Sequence, residues 1–294
     1  MNIFSILKSI SSHPLNKKRK LAAVWRFLKW QISIRLNPKP MIYSFTTRSK
    51  LIIHRGMTGA TGNLYCGLQD FEDMGFLLHF LRPEDFFVDI GANIGSYTVL
   101  ASAHVGAKTL AVEPVPSTQY HLKENISINK IHALVNVLPF ALGSKKNKTN
   151  FAISKDMMNN HVSTSNDDQF IEVQIETLDE ILAIEQIPIL IKIDVEGFES
   201  EVLKGAMKTL KNPGLKAIII ELMGLGERYG FDENNIHKLL LELDFKPAKY
   251  DPFHRQIDTL DSFGKRNTLY IRDLKFVESR VKSAEQTTIL DQVF

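Results

Sequence analysis

Cysteine is almost missing from this chain. Cys66 is the sole one among 294 residues, which excludes an internal disulfide framework and any multi-cysteine zinc site. On its own it reads as a small apolar residue. Long apolar runs are missing too: none approaches the ~18 residues that a membrane span requires, and the N-terminus has no clear signal-peptide cleavage site, so the sequence reads as cytoplasmic. Neither internal repeats nor low-complexity tracts occur. Acid is missing from the start of the chain, where no Asp or Glu precedes Asp70 while residues 1–69 carry 12 Lys and Arg. The net charge of +3 therefore hides an asymmetry, since the remainder holds 24 basic residues against 33 acidic ones.

What is present suffices for one large α/β domain with an extension, because 44% apolar and 23% charged residues are ordinary for a soluble globular protein. The chain divides into a basic extension over 1–69, a main domain over 70–275 and a tail over 276–294. In the extension Leu21, Val24, Trp25, Leu28 and Ile32 recur at helical spacing with Lys20, Arg26 and Lys29 between them, as in a basic amphipathic helix. Two placements suit it. The helix packs against the domain that follows, or it lies on an anionic membrane surface, peripheral to the inner face, with Trp25, Phe27 and Trp30 in the interface. The NKKRK cluster at 16–20 would also suit phosphates, although a charge run is usually just solvated.

Beyond the arm, Ile42, Phe45, Leu51, Ile52 and Ile53 suggest strands, 56–67 reads as a glycine-punctuated loop, and 70–81 reads as a helix closed by Pro83. From Phe86 onward, apolar strands near 86–90, 108–113, 134–140, 189–194 and 215–221 alternate with helices near 94–105, 116–129, 197–211 and 232–243. That alternation is the signature of a parallel sheet with right-handed crossovers. The segment 141–188 is a polar insertion with a strand-like stretch at 171–175, and 245–250 and 267–272 read as a long hairpin at the sheet edge. No pattern stands out over 276–294.

The run FFVDIGANIG at 86–95 brings a buried strand carrying Asp89 into a glycine turn and a helix N-terminus. Such a combination makes a nucleotide-sized binding edge at the carboxyl end of a sheet. Glu113 ends the next strand, 22 positions after Gly91, where a carboxylate can accept hydrogen bonds from vicinal ribose hydroxyls. Nicotinamide cofactors and S-adenosylmethionine both present these. Asn93 stands where a dinucleotide fingerprint has its middle glycine, which counts against close passage of a pyrophosphate. A second constellation, ILIKIDVEGFE at 189–199, gathers Asp194, Glu196 and Glu199 at another strand end. If the chain is still extended there, Asp194 and Glu196 point the same way, whereas Glu199 also suits a helix N-terminus.

The runs FVDIGANIGSYT, AVEP, ETLDEI at 176–181, LIKIDVEGFE and IIIEL together resemble the FkbM family of S-adenosylmethionine-dependent methyltransferases, over roughly residues 65–225. The resemblance implies an α/β, Rossmann-like, seven-stranded methyltransferase sheet, mostly parallel, whose terminal hairpin brings the last strand in antiparallel. It implies S-adenosylmethionine as cofactor, with Asp89, Gly91, Asn93 and Gly95 around its methionine part, Glu113 on its ribose, and Phe140 and Ala141 flanking the adenine. The acceptor it implies is a hydroxyl of a sugar, glycolipid or polyketide-like molecule. Such a hydroxyl needs its proton accepted, and Asp194 is the first candidate base, Glu196 the second and His161 the third. The carboxylate pair could equally hold a divalent metal that activates the hydroxyl. Glu221 ends the fifth strand beside the same crevice, and His254 is placed to cover an acceptor.

Competing readings are a nicotinamide-dependent oxidoreductase or epimerase and a non-catalytic, membrane-associated binding protein of the same fold. The first is disfavoured by Asn93 and by the lack of a Tyr-x-x-x-Lys pair after the fourth strand. A nucleic-acid acceptor is disfavoured as well, because DVEG replaces the Pro-Pro-aromatic motif that grips a flipped base and the sheet domain is acidic.

Overall fold

A computed structural model describes residues 3–37, 39–54, 56–152, 160–163, 170–182 and 186–294. Its centre is an eight-stranded sheet of β1 (Phe86–Ile90), β2 (Lys108–Val112), β3 (Val135–Leu138), β4 (Leu190–Ile193), β5 (Ala217–Glu221), β6 (Lys246–Asp251), β7 (Gln256–Thr259) and β8 (Asn267–Ile271). The strand order is 3-2-1-4-5-8-6-7. Strands β3, β2, β1, β4 and β5 are mutually parallel, and β8 slots antiparallel between β5 and β6. The seven expected strands are therefore present in an α/β, Rossmann-like order. The stretch between β6 and β8 adds an eighth, β7, antiparallel on the outer edge of β6.

Each parallel strand is a short apolar run because both faces of the sheet are covered. Phe87, Ala111, Leu190 and Ile219 point into one core cluster, and Val88, Leu110, Ile191 and Ile218 into the other. The order reverses between β1 and β4, which opens a crevice at the carboxyl ends of those strands. Asp89 and Lys192 are register partners across that switch point, the two charged residues in otherwise apolar strands.

Three segments depart from the expected pattern. The 56–67 stretch is not a loop but the helix Thr58–Cys66. Its glycines each cost about 1 kcal/mol in helix propensity, and tertiary packing of Ala60, Tyr65 and Cys66 against Phe27, Trp30, Ile53 and Ile94 overrides them. The polar insertion forms its own four-stranded sheet of Ala141–Leu142, Phe170–Glu176, Asn147–Ala152 and His161–Val162. The 276–294 region is ordered: Leu274–Lys282 is a helix, Thr288–Ile289 pairs with Gln292–Val293, and Phe294 is buried against Phe71, His79 and Phe253.

The basic arm packs against the body, as in the first of the two placements expected for it, but with only one of its apolar faces. Helix Lys20–Leu36 packs on the body through Ala23, Phe27, Trp30 and Ile34, so Phe27 and Trp30 belong to the core. The stripe of Leu21, Trp25, Leu28 and Ile32 faces solvent instead. The hairpin Met41–Ser44 with Lys50–Ile53 is fastened to helix Pro116–Asn129, where Asn125 Oδ1 and Asn129 Oδ1 accept from the amides of Ile52 and Lys50, both at 2.8 Å. Among the described residues, no helix is long and apolar enough to cross a membrane.

Candidate active site

A cavity of about 150 Å³ opens at the carboxyl ends of β1, β2, β4 and β5. Gly91, Asn93, Glu113, Ala141, Asp194 and Glu196 all line it, so the two constellations separated by about 100 residues in sequence share one wall. The turn after β1 is built by conformation. Gly91 has φ +75°, and a Cβ there would stand 1.8 Å from the Asp194 carbonyl oxygen. This close approach lets β1 and β4 present their ends side by side. Asn93 also lies in the left-handed region, φ +51°, which asparagine tolerates better than other side chains that are not glycine. Its amide donates to Glu113 Oε2 at 3.0 Å, and its Oδ1 accepts from the Ile94 amide at 2.7 Å. Glu113 Oε1 accepts from the Val115 amide at 3.0 Å. Burial pushes the Glu113 carboxyl up to about 7.

Beneath this turn sits a buried charge cluster. Lys192 is 4% exposed, donates to Asp194 Oδ2 at 2.9 Å and lies 4.8 Å from the Tyr97 ring centroid. Burial works against its ammonium, yet Asp194, Asp89 and Asp70 hold it above its ordinary value. Asp89 accepts from Thr98 Oγ1 at 2.6 Å, and its Oδ1 has no hydrogen-bond partner among the described residues. Asp89 lies under the floor, not on the wall. Gly95 is likewise off the wall; it caps the short helix Ser96–Val99.

The acidic side of the cavity is shaped by a turn and not by strand alternation. Strand β4 stops at Ile193, and Glu196 takes φ +56° ahead of Gly197 at +101°. Glu199, 2% exposed, fastens that turn by accepting from the amides of Val195 and Gly197, each at 3.1 Å. Carboxylate oxygens of Asp194, Glu196 and Glu221 thereby come within 4.8 Å of one another. Burial, and then the neighbouring Asp194, push Glu196 up to about 7. The same causes, with Glu196 added, push Glu221 up to about 9. Lys192, by contrast, pairs directly with Asp194.

Among the sequence-derived candidates, His161 is not a lining residue. Asn160 and Val162 line the cavity, and residues one apart in a strand face opposite ways. Ala141 does line it, although from the small sheet, because β3 already ends at Leu138. Phe140, half-buried, packs against the core, and His254 is exposed with its ring on Asp251, 2.7 Å away. Sequence reasoning missed the wall supplied from the N-terminal side, namely Gly59, Asn63, Gln69, Asp70 and Met74. It also missed Lys192, whose signal was a lysine inside an otherwise apolar strand.

The methyltransferase FkbM domain family matches residues 89–247, more than half of the chain. The chain belongs to the FkbM methyltransferase family. The family match runs from Asp89 to Pro247, at the start of β6, so it contains both strand-end constellations and the small sheet, and it leaves residues 1–88 and 248–294 outside. Membership sets aside the oxidoreductase alternative. The hexuronic acid methyltransferase AglP of Haloferax volcanii is 30% identical over 170 residues, which span 56% of this chain and 65% of that protein, just under two thirds of its length. A crystal structure of methyltransferase FkbM from Methylobacillus flagellatus KT is similar with 16% identity and a TM-score of 0.46, covering 73% of this chain and 55% of that one. A precorrin-6Y C5,15-methyltransferase from Geobacter metallireducens GS-15 is similar at 14% identity and a TM-score of 0.39, covering 69% and 88%.

Proposed function

We propose that this FkbM-family chain transfers a methyl group from S-adenosylmethionine to a hydroxyl of a sugar or glycolipid in the cytoplasm. One observation carries the reading: the Gly91–Asn93 turn over Glu113 and the carboxylate group at the ends of β4 and β5 line a single cavity side by side. The residues present fit the cofactor. Glu113 is a buried carboxylate on the wall with accepting capacity beyond its two amide bonds, suited to ribose hydroxyls, and the bare backbone at Gly91 lets the β4 end stand beside it on the same wall. The turn itself carries no basic side chain that a phosphate would call for. Asp89 and Gly95 act from behind the wall, the first by holding Thr98 and the second by starting the helix. When bound, the cofactor supplies an activated methyl on a cationic sulfur that leaves as a neutral thioether.

The remaining work is to orient the acceptor and take its proton. Glu196 is the base in this reading. It lines the cavity, no cation contacts it directly among the described residues, and burial pushes its carboxyl up to about 7, where a proton acceptor is most effective at neutral pH. Asp194, tied to Lys192, positions the acceptor by accepting from its hydroxyls. A wall rich in carboxylate acceptors suits a polyhydroxylated substrate, in keeping with the sugar acid in the name of the 30% identical relative. Methyl transfer from labelled cofactor to a panel of glycans tests this. Glu196→Gln is expected to lower turnover about 10²- to 10⁴-fold with cofactor affinity kept, and an unchanged turnover would remove Glu196 as the base. The 4.8 Å grouping of carboxylates also favours a second reading, a bridging divalent cation. Treatment with EDTA separates the two, since a proton acceptor works without metal.

A further inference from the structure

Helix Lys20–Leu36 is apolar on two sides, and the body covers one of them. On the other, Leu21 is 87% exposed, Trp25 64%, Leu28 40%, Ile32 54% and Leu36 81%. Their spacing of four, three, four and four places them within an arc of about 80° and along about 22 Å of helix. Isolated exposed apolar residues need no explanation, but a continuous stripe marks an interaction surface. Lys29 and Arg35 flank the stripe in the helical projection, and Lys17, Lys18 and Lys20 are exposed at its N-terminal end. No acidic residue occurs in the first 69 positions. The C-terminal tail neutralises Arg19 through Asp291 and Arg48 through Glu285, which leaves the cations beside the stripe to meet an outside partner.

We propose that this stripe docks the protein onto an anionic lipid bilayer. The chemistry matches on both counts. An amphipathic helix lying in the interface sinks its apolar residues at the headgroup boundary and keeps Lys and Arg at the phosphates, and Trp25 has the amphipathic ring that favours this level. A second copy of the chain is a poorer occupant, because a two-fold contact through the stripe would set the same basic residues against each other with no acid to offset them. Docking also has a geometric consequence. Helix Thr58–Cys66 packs directly on the inner face of this helix, where Gln31 Nε2 donates to Tyr65 Oη at 3.1 Å, and it supplies Gly59 and Asn63 to the cavity wall. The bilayer would thus lie two helix layers from the cavity, the docking helix and the helix Thr58–Cys66 that walls it.

The test uses the full chain with sedimenting vesicles of phosphatidylcholine alone or with about a third phosphatidylglycerol. Binding is expected to the anionic vesicles, at least about tenfold weaker to the neutral ones, and falling with salt. The chain has two tryptophans, and Trp30 is already buried, so a blue shift of emission on binding reports Trp25 and should vanish in Trp25→Phe. The double variants Leu21→Ser/Trp25→Ser and Lys18→Glu/Lys20→Glu alter exposed positions and should keep the parent melting temperature while losing vesicle binding about tenfold or more. No binding to anionic vesicles at low salt, or binding that neither variant weakens, would overturn the proposal. So would a dimer in sedimentation equilibrium that the Leu21→Ser/Trp25→Ser variant dissociates without any vesicle binding by the parent.

Discussion

Asp194 and Glu196 stand in one turn and differ in what compensates their charge. Lys192 pairs with the first at 2.9 Å, while burial and Asp194 itself hold the second near 7. Turnover should therefore rise with pH up to about 7 and then level, as Glu196 ionises, and the Glu196→Gln variant should show no such limb in its pH–rate profile. The buried carboxyls make a second prediction. Asp73, Glu113, Glu196 and Glu199 are each pushed up to about 7, mainly by burial, and Glu221 to about 9. Their folded values exceed the unfolded ones, so between pH 6.5 and 9 the folded chain binds more protons and stability falls as pH rises. His13, His79 and His104, lowered to about 4 by burial, oppose this only below about 6.5, the unperturbed imidazole value. The melting temperature of the ligand-free protein should accordingly drop from pH 6.5 to 9; an increase would contradict the burial of these groups. At this scale the motif carboxylates were legible in the sequence because their strands are short and apolar. Which of them a cation compensates was overlooked, although Lys192 stands only two positions before Asp194 in the same apolar run.

At the scale of elements, the strand-turn-helix unit after β1 is the feature most exposed to a single change. Gly91→Ala would drive a Cβ into the Asp194 carbonyl in a backbone region that alanine avoids. A loss of about 2–4 kcal/mol in urea unfolding is expected, together with weakened cofactor binding. A variant of parent stability would show that β1 and β4 are not held this closely. The five parallel strands and helix Pro116–Asn129 were legible because each has one dominant period and clear punctuation. Helix Thr58–Cys66 was not, because its glycines favour a loop and its stability comes from the arm that covers it. The small sheet was read only in part: the stretch at 171–175 was seen as a strand, whereas Asn147–Ala152 was not, because Asn147, Lys148 and Asn150 are polar and exposed.

For the whole molecule, segments near both ends of the chain pack onto the body. Phe294 closes an aromatic group with Phe71 and Phe253 at ring distances of 5.2 and 6.1 Å, and Arg255 donates to the carbonyls of Ala284 and Glu285. Removing residues 286–294 should cost about 3–5 kcal/mol, as for other deletions of a buried aromatic, seen as a lower urea midpoint. The domain fold was readable because the order of strands follows from alternating elements. The arm's wall of the cavity was not, because no local pattern links residues 59–74 to the strand ends they face. The central claim is that this cavity holds S-adenosylmethionine against Glu113. Calorimetric titration with S-adenosylhomocysteine tests it most directly. The account predicts micromolar binding, about 8 kcal/mol, weakened at least about tenfold by Glu113→Ala in a protein that still melts cooperatively. No saturable heat in the parent, or equal affinity in the variant, would contradict it.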